Sequence, residues 1–133
     1  MPSRRETLQA ILDAHTEQNI TKILAHHSEK SLRQPPLDNA AYKRMYQAIA
    51  PNFRNYQMSV ADIFEDDKEN KAVVWIHATA DTDAGPYTNE KMLIFYFDDA
   101  GKVSRTLEFI DSAATAAFHA KLQEVLTGKA AVA

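Results

Sequence analysis

Residues 72–111 read AVVWIHATADTDAGPYTNEKMLIFYFDDAGKVSRTLEFID, and this stretch decides the fold. It contains three runs in which apolar side chains recur at the period of a β-strand. Turn-forming residues separate the runs at Asp83–Pro86 and at Asp98–Gly101. The pattern therefore predicts three consecutive antiparallel strands, over Ala72–Asp81, Tyr87–Phe97 and Val103–Asp111.

Helices and two further strands are predicted around this sheet. Leucine and isoleucine recur at helical spacing over Ser3–Ala25, where Ser3 and Glu6 have the form of a capping box and His15 marks a possible break. Two prolines end a short strand, because proline has no amide donor. The other predicted elements are a strand over Ser31–Gln34, a helix from Asp38 or Asn39 to Pro51, a strand over Tyr56–Phe64, a helix over Ser112–Leu126 and a loose tail from Thr127.

The order of these elements indicates the fold class. Helices come first, a run of antiparallel strands follows, and one helix ends the chain, which favours α+β architecture over a parallel βαβ fold. The chain has 133 residues, 45% of them hydrophobic, which is enough for one core. We expect a single domain over residues 1–133, in which a curved antiparallel sheet carries the N-terminal helices on its concave face.

Composition argues against several classes of function. The net charge of −3 gives no electrostatic support for binding nucleic acid or an anionic membrane. The absence of cysteine excludes disulfides and thiolate chemistry, and no run is apolar enough for a signal peptide or a membrane span. With three glycines and no phosphate-binding loop, we expect no nucleotide cofactor, and His26 and His27 diverge too much on a helix to chelate a metal. A cytoplasmic location is the expectation.

Four local motifs carry a resemblance to a known superfamily. They are Pro35–Asn39, Thr82–Glu90, Gly101–Val103 and Glu108–Ser112, and with the element order they span nearly the whole chain. The sequence resembles the SnoaL-like, nuclear-transport-factor-2-like superfamily, and within it a group of small fungal proteins from terpenoid and polyketide pathways. Lys91 is a departure, because an aromatic residue commonly follows the Asn-Glu pair in that group.

The resemblance implies a cone-shaped fold with a pocket for an apolar polycyclic molecule. By similarity to ketosteroid isomerases of the superfamily, the side of the last strand that holds Thr106, Glu108 and Ile110 faces this pocket. Strand alternation alone leaves the choice of face open, because a bulge at the hairpin would swap the two sides. The opposite face, which is rich in large side chains, would then form a homodimer interface. Those side chains are Trp75, Met92, Ile94 and Tyr96.

Three residues are candidates for acid–base catalysis. Glu108 lies between Thr106 and Ile110, where burial would favour its neutral form, so that it could transfer a proton near neutral pH. The alternative for Glu108 is a salt bridge with Lys91 or Arg105. Asp62 and His77 are candidates for the complementary group, but an aspartate at a strand end or a histidine satisfied in the interior or an interface explains them equally simply.

Four residues are candidates for substrate binding. Arg33, near the expected mouth of the pocket, could hold a carboxylate or carbonyl oxygen, although a surface arginine is the simpler alternative. Asn89 could donate to a substrate oxygen or pair with backbone, and Lys91 follows it on the same face. Asp111 is typical of a helix cap before Ser112, and substrate contact is its second interpretation.

These residues support a leading hypothesis and two alternatives. The leading one is a cofactor-independent isomerase or cyclase that acts on a polycyclic terpenoid or polyketide intermediate of secondary metabolism, such as a meroterpenoid. The second is a non-catalytic binding or adaptor module of the same fold, which a cavity filled by Phe95 and Phe97 would favour. The third is a dehydratase or hydrolase on a similar substrate.

Overall fold

The computed structural model describes residues 2–33 and 37–132, and the side chains only as far as residue 128. The chain forms four α-helices, a short 3₁₀ turn and five strands within these ranges. They are α1 (Arg4–Thr16), α2 (Ile20–Leu24), β1 (His27–Arg33), α3 (Asn39–Ile49), the 3₁₀ turn Ala50–Asn52, β2 (Arg54–Asp66), β3 (Lys71–Thr82), β4 (Gly85–Phe97), β5 (Val103–Ile110) and α4 (Ser112–Val132).

The five strands form one sheet in the order β1-β5-β4-β3-β2. The three strands β3, β4 and β5 are antiparallel neighbours, as predicted, and β2 adds to β3 in the same sense. The predicted α+β architecture is confirmed, and the sheet is mixed because β1 pairs with β5 in parallel, with Arg33 opposite Thr106. α3 and the 3₁₀ turn, which lie between β1 and β2, carry the chain from one edge of the sheet to the other.

One face of the sheet, which we call the inner face, carries the core. Leu8, Ile11 and Leu12 of α1 pack on Val74 and Ile76 of β3 and on apolar residues of the neighbouring strands. Phe95 and Phe97 of β4 are buried in the same cluster. Burial of a large apolar side chain contributes about 1.5–3 kcal/mol, so this cluster holds α1 on the sheet. The inner face is thus filled by apolar residues at its α1 end.

Side-chain caps fix where the helices begin. The Ser3 hydroxyl accepts a hydrogen bond from the Glu6 amide at 3.2 Å, and the Glu6 carboxylate accepts one from the Ser3 amide, which confirms the predicted capping box. Asp38 caps α3 through the Ala41 amide at 2.8 Å. Such caps contribute about 1 kcal/mol each, because they satisfy amides that have no partner within the helix.

Two bulges decide which side chains lie on the inner face. One lies at the β4–β5 hairpin, where the register shifts between Tyr96 and Phe97, as the sequence allowed. The second lies in β2 between Val60 and Asp62. Because side chains alternate along a strand, an extra residue moves every later side chain to the opposite face. Val60 therefore pairs on the inner face with Ile76, and Asp62 pairs on the outer face.

The boundaries of two elements differ from the prediction. β1 begins at His27, four residues before the predicted strand, because pairing with β5 extends a polar stretch that has no strand-like periodicity of its own. The tail expected to be loose continues α4 as far as Val132. Alanine-rich sequence explains this continuation, since alanine has the highest helix propensity. Gln34 and the two prolines after it lie outside the described residues.

The outer face of the sheet is open. Trp75, Met92 and Phe109 stand on it at adjacent positions of β3, β4 and β5, since Trp75 pairs with Met92 and Met92 with Phe109. All three side chains are exposed, and Phe109 is 58% exposed. The same face carries an exposed Phe64. Several large apolar side chains on one flat surface form a contiguous patch of the kind that marks interaction sites.

Candidate active site

A half-buried ion pair lies on the inner face beyond the apolar core. The Nζ atom of Lys91 in β4 is 3.5 Å from the Oε1 atom of Glu108 in β5. Register places them together, because Glu108 is opposite Leu93 and Lys91 is opposite Ile110. The Lys91 side chain is 15% exposed and that of Glu108 is 36% exposed, so the pair is open to the outside mainly through Glu108. Glu108 thus lies on the side expected from the family resemblance, and it makes the salt bridge with Lys91 that was its alternative interpretation.

Lys91 remains an ammonium ion at neutral pH. Burial alone would lower the pKa of Lys91, but the Glu108 carboxylate and the Tyr56 hydroxyl raise it above its usual range. Lys91 Nζ donates a hydrogen bond of 3.4 Å to the Tyr56 hydroxyl. A protonated lysine is a hydrogen-bond donor and a positive charge, and not a nucleophile. It can therefore stabilise negative charge that develops on a substrate oxygen.

A second polar group contains Arg33, His27 and Tyr42. The Arg33 guanidinium lies over the Tyr42 ring, 3.6 Å from its centroid, and donates to Nε2 of His27 at 3.3 Å. Nδ1 of His27 is 2.9 Å from the carbonyl oxygen of Ile23. Since arginine only donates and the carbonyl only accepts, the His27 proton must be on Nδ1. The neutral histidine and the aromatic ring thus fix the orientation of Arg33.

α1 contributes a further polar side chain, His15, to the site. Its ring centroid is 6.1 Å from that of Tyr46. Burial is the main cause that lowers the pKa of His15 to about 3, and the positive charges of Arg33 and Lys91 contribute to the same shift. Burial also raises the pKa of Tyr46 to about 12. Both side chains are therefore uncharged at neutral pH, and each can donate or accept a hydrogen bond.

The acid sensitivity of folding tests the environment of His27. Burial and the Arg33 charge lower the pKa of His27 from 6.5 to about 4. The unfolded chain therefore binds this proton at a higher pH than the folded chain, so stability falls as pH decreases from 6.5 towards 4. We expect His27 to account for a loss of about 3 kcal/mol over this range.

Urea unfolding of the wild type and of His27→Gln at a series of pH values measures this effect. Glutamine retains an acceptor for Arg33 and does not titrate, so the variant should lose less stability on acidification. His26→Gln is the control, because the His26 ring is more exposed and its pKa is lowered less. Identical pH dependence of His27→Gln and the wild type would show that His27 is not held neutral.

Two predicted catalytic residues lie on the other side of the sheet. Asp62 was expected on the same face as Val60, but the β2 bulge turns it to the outer face, where its carboxylate accepts a hydrogen bond from the Ile63 amide. His77 also lies on the outer face, half-exposed, with Nε2 3.8 Å from Glu90. The structure therefore does not bring Asp62 or His77 together with Glu108.

Asn89 and Asp111 lie where the sheet meets α4. Asn89 is buried on the inner face and donates to the Thr115 hydroxyl at 2.9 Å. The Asp111 carboxylate accepts from the Ala114 amide at 3.0 Å, which confirms its preferred interpretation as a helix cap. Both residues line an open cleft of about 350 Å³ that also includes His77 and Glu90. Their contacts join α4 to the sheet.

Sequence comparison places the chain among fungal secondary-metabolite proteins. It is 38% identical over 131 residues to core atranone cluster protein 11 of Stachybotrys chlorohalonatus, covering 92% of this chain and 98% of that protein. The chain belongs to this family. It is also 30% identical over 96 residues to monooxygenase AacuP of Aspergillus aculeatus, covering 71% of this chain and 66% of that protein. No protein-family model matches the chain.

Solved structures confirm the predicted SnoaL-like fold. The BvnE pinacolase from Penicillium brevicompactum superposes with a TM-score of 0.83 at 18% identity, over 93% of this chain and 96% of that one. A SnoaL-like polyketide cyclase from Agrobacterium tumefaciens superposes with a TM-score of 0.73 at 12% identity, over 86% and 96%. At these identities the likeness establishes the fold alone.

The SnoaL-like inner face includes residues that the sequence did not single out for function. His15, His27 and Tyr56 contribute polar atoms to the site, and so do Tyr42 and Tyr46, which recur at helical spacing with the apolar residues of α3. One signal was available, because tyrosine at i and i+4 places two hydroxyls on the same side of α3. Within residues 2–33 and 37–132, no three His, Asp or Glu side chains form a metal-binding group, and no helix is suited to span a membrane.

Proposed function

We propose that this SnoaL-like chain is a cofactor-independent isomerase or cyclase that acts on a polycyclic terpenoid or polyketide intermediate. The observation that carries the proposal is the Lys91–Glu108 pair, 3.5 Å apart on the inner face. A carboxylate beside a fixed ammonium combines a proton acceptor with a stabiliser of negative charge. Membership in a family with a core atranone cluster protein supports a substrate from secondary metabolism.

The proposed reaction is a proton transfer between two carbons of one substrate. The Glu108 carboxylate removes a proton from a carbon next to a carbonyl group, and the electron pair of the C–H bond moves to the carbonyl oxygen. Lys91 and the Tyr56 hydroxyl stabilise the resulting enolate by donating hydrogen bonds. Glu108 then returns the proton to another carbon, so the product has the mass of the substrate. In a cyclase the enolate carbon instead attacks a carbonyl carbon of the same molecule before it is reprotonated. A C–C bond then forms as the π bond of that carbonyl breaks, and Glu108 returns the proton to the resulting alkoxide oxygen, so the mass is again unchanged.

A monooxygenase is the second candidate, because AacuP and other relatives carry that name. The same carboxylate would generate an enolate, whose carbon would combine with molecular oxygen to give a hydroperoxide after protonation. Loss of water from the hydroperoxide would leave a new carbonyl group, so the substrate would gain one oxygen atom, lose two hydrogen atoms and itself supply the electrons. The two candidates share the first step and differ in mass balance, since oxygenation adds atoms to the substrate.

Mass spectrometry separates the candidates. The purified protein is incubated with an extract of fungal terpenoid and polyketide intermediates, with and without oxygen. The isomerase proposal predicts a product of unchanged mass and altered retention time in both cases. A product that gains oxygen only in air supports the monooxygenase, and loss or gain of one water indicates a dehydratase or hydrolase. No product in any fraction favours the binding module.

For the assembly, we propose a homodimer through the outer face, in line with the family resemblance. The exposed Trp75, Met92 and Phe109 would be covered in the dimer, which would remove a large apolar patch from water. Phe109→Lys places a charge in this patch, on its most exposed side chain. We expect sedimentation to give twice the chain mass of 14.9 kDa for the wild type and the chain mass for the variant.

Leu126→Lys is the matched control, because Leu126 is an exposed apolar residue of α4. We expect this variant to remain dimeric. A wild type that sediments as a monomer at micromolar concentration would contradict the proposed assembly.

A further inference from the structure

The polar site on the inner face contains one more cation than anion. Lys91 is paired with Glu108, but Arg33 has no acidic partner within the described residues, whose ranges include every Asp and Glu of the chain. Its contacts are the neutral Nε2 of His27 and the face of the Tyr42 ring. A charge removed from water is costly unless it is paired, so a partly buried lone guanidinium calls for an anion.

The positive charge of Arg33 affects the pKa of two neighbouring histidines. The Arg33 charge lowers the pKa of both His15 and His27, in each case after burial, which is the larger cause. Both rings are neutral at neutral pH and add no charge. In this polar site the count is therefore two cations, Arg33 and Lys91, and one anion, Glu108; Glu65, at the α1 end of the same face, pairs with Arg4 and Arg5.

Two buried hydroxyl groups belong to residues that neighbour Arg33 in the sheet. The side chains of Ser31 and Thr106 belong to residues that are 1% exposed, and neither hydroxyl has a hydrogen-bond partner within the described part of the chain. Thr106 is opposite Arg33 in the β1–β5 pairing, and Ser31 precedes Arg33 by two positions on the same side of β1. Buried hydroxyl groups nearly always have a hydrogen-bond partner. Two hydroxyl groups without a partner, close in the sheet to a guanidinium without an anion, indicate that a ligand oxygen binds here.

We propose that Arg33, Ser31 and Thr106 form an oxyanion-binding subsite, and that the substrate is a polycyclic molecule with one organic oxyanion. This inference rests on the proposed function, because it names the substrate class of the same site. The oxyanion is a carboxylate or the enolate of a β-dicarbonyl, since both spread a negative charge over two oxygens that the planar guanidinium fork can bind. His27 and Tyr42 are positioning residues that hold the fork.

Calorimetric titration with unreactive probes tests the subsite. Dehydroabietic acid, a tricyclic terpenoid carboxylic acid, is compared with the corresponding alcohol, which is neutral and similar in shape. We expect the acid to bind the wild type at least about tenfold more tightly than the alcohol, because charge-assisted hydrogen bonds are the stronger ones. A second pair, an alkylated cyclic β-diketone in its ionised form and the matching monoketone, shows whether an enolate is bound as well as a carboxylate.

Matched variants assign the preference to Arg33. Arg33→Gln should bind the acid and the alcohol equally. Arg105→Gln is the control, because Arg105 also lies over a tyrosine, Tyr96, but on the outer face. It should retain the full preference. Thr106→Val keeps the side-chain shape and removes the hydroxyl, so we expect severalfold weaker binding of the acid with unchanged thermal stability.

These experiments test the subsite independently of the proposed activity, because the probes only have to bind and not to react. Equal affinity for acid and alcohol, no binding of the acid at millimolar concentration, or a preference that survives in Arg33→Gln would overturn the subsite and leave the isomerase proposal standing. An acid preference in a protein that converts no intermediate would support the subsite and count against the isomerase.

Discussion

Replacing Glu108 by glutamine is expected to reduce turnover about a hundredfold or more. Glutamine has nearly the same shape and can still accept a hydrogen bond from Lys91, but it cannot take up a proton. Loss of a general base typically costs about 10²–10⁴ in rate. Because binding contacts remain, kcat should fall and KM should change little. The measurement is steady-state turnover of the substrate identified by mass spectrometry, with circular dichroism to verify the fold.

Glu90→Gln is the matched control for this prediction. Glu90 is a β4 carboxylate on the outer face, where it accepts a hydrogen bond from Trp75 Nε1 at 2.6 Å. Its replacement changes the same chemical group on the opposite side of the sheet from Glu108. We therefore expect turnover to stay within about twofold of the wild type, because surface substitutions usually have small effects. A Glu90→Gln variant that loses as much activity as Glu108→Gln would argue for chemistry on the outer face.

Replacing Lys91 by methionine is the second large effect that we expect. Methionine fills the volume of the lysine stem and removes the ammonium. Removal of one donor to a developing oxyanion typically costs about 10²–10³ in kcat, and we expect a loss of this size. Thermal unfolding should change little, because about a third of the Glu108 side chain is exposed and water can solvate the carboxylate that remains.

Two further variants make the Lys91 result specific. Lys91→Arg keeps the positive charge and should retain more activity than Lys91→Met. Lys71→Met removes a lysine that lies 5.7 Å from the Tyr96 ring on the outer face, and it should leave turnover unchanged. Equal activity of Lys91→Met and the wild type would exclude Lys91 from transition-state stabilisation.

Much of the sheet could be predicted from the sequence, because local signals and tertiary pairing agree there. The turns at Asp83–Pro86 and Asp98–Gly101 join strands whose alternation is clear, and both glycines adopt the positive φ that such turns favour. The parallel pairing of β1 was not predictable in the same way. Its residues are polar, and it is a strand because β5 offers a free edge.

The error at Asp62 has a specific physical cause. A β-bulge adds one residue to a strand, and no turn residue or break in alternation marks the bulge in the sequence of β2. Regular alternation would place Val60, Asp62 and Phe64 on one face. The bulge after Val60 instead places both Asp62 and Phe64 on the outer face. An edge strand tolerates such a shift, because its outer side chains remain in contact with water.

The site was predictable only where strands define it. Strand alternation placed Lys91 and Glu108 on one side, and the family resemblance chose that side. The contributions of His15 and Tyr42 depend on how α1 and α3 pack against each other and on the sheet, which periodicity does not specify. Arg33 was predicted to bind a substrate oxygen, but its contacts with His27 and Tyr42 emerge only from the tertiary structure.

Proton exchange with solvent is the most direct test of acid–base chemistry at Glu108. The substrate and product found by mass spectrometry are incubated with the wild type and with Glu108→Gln in heavy water. The account predicts that the wild type gives a product of unchanged elemental composition that carries deuterium at the reprotonated carbon, and that the variant gives neither product nor exchange. A product that gains oxygen or loses water, or equal exchange by the variant, would contradict it.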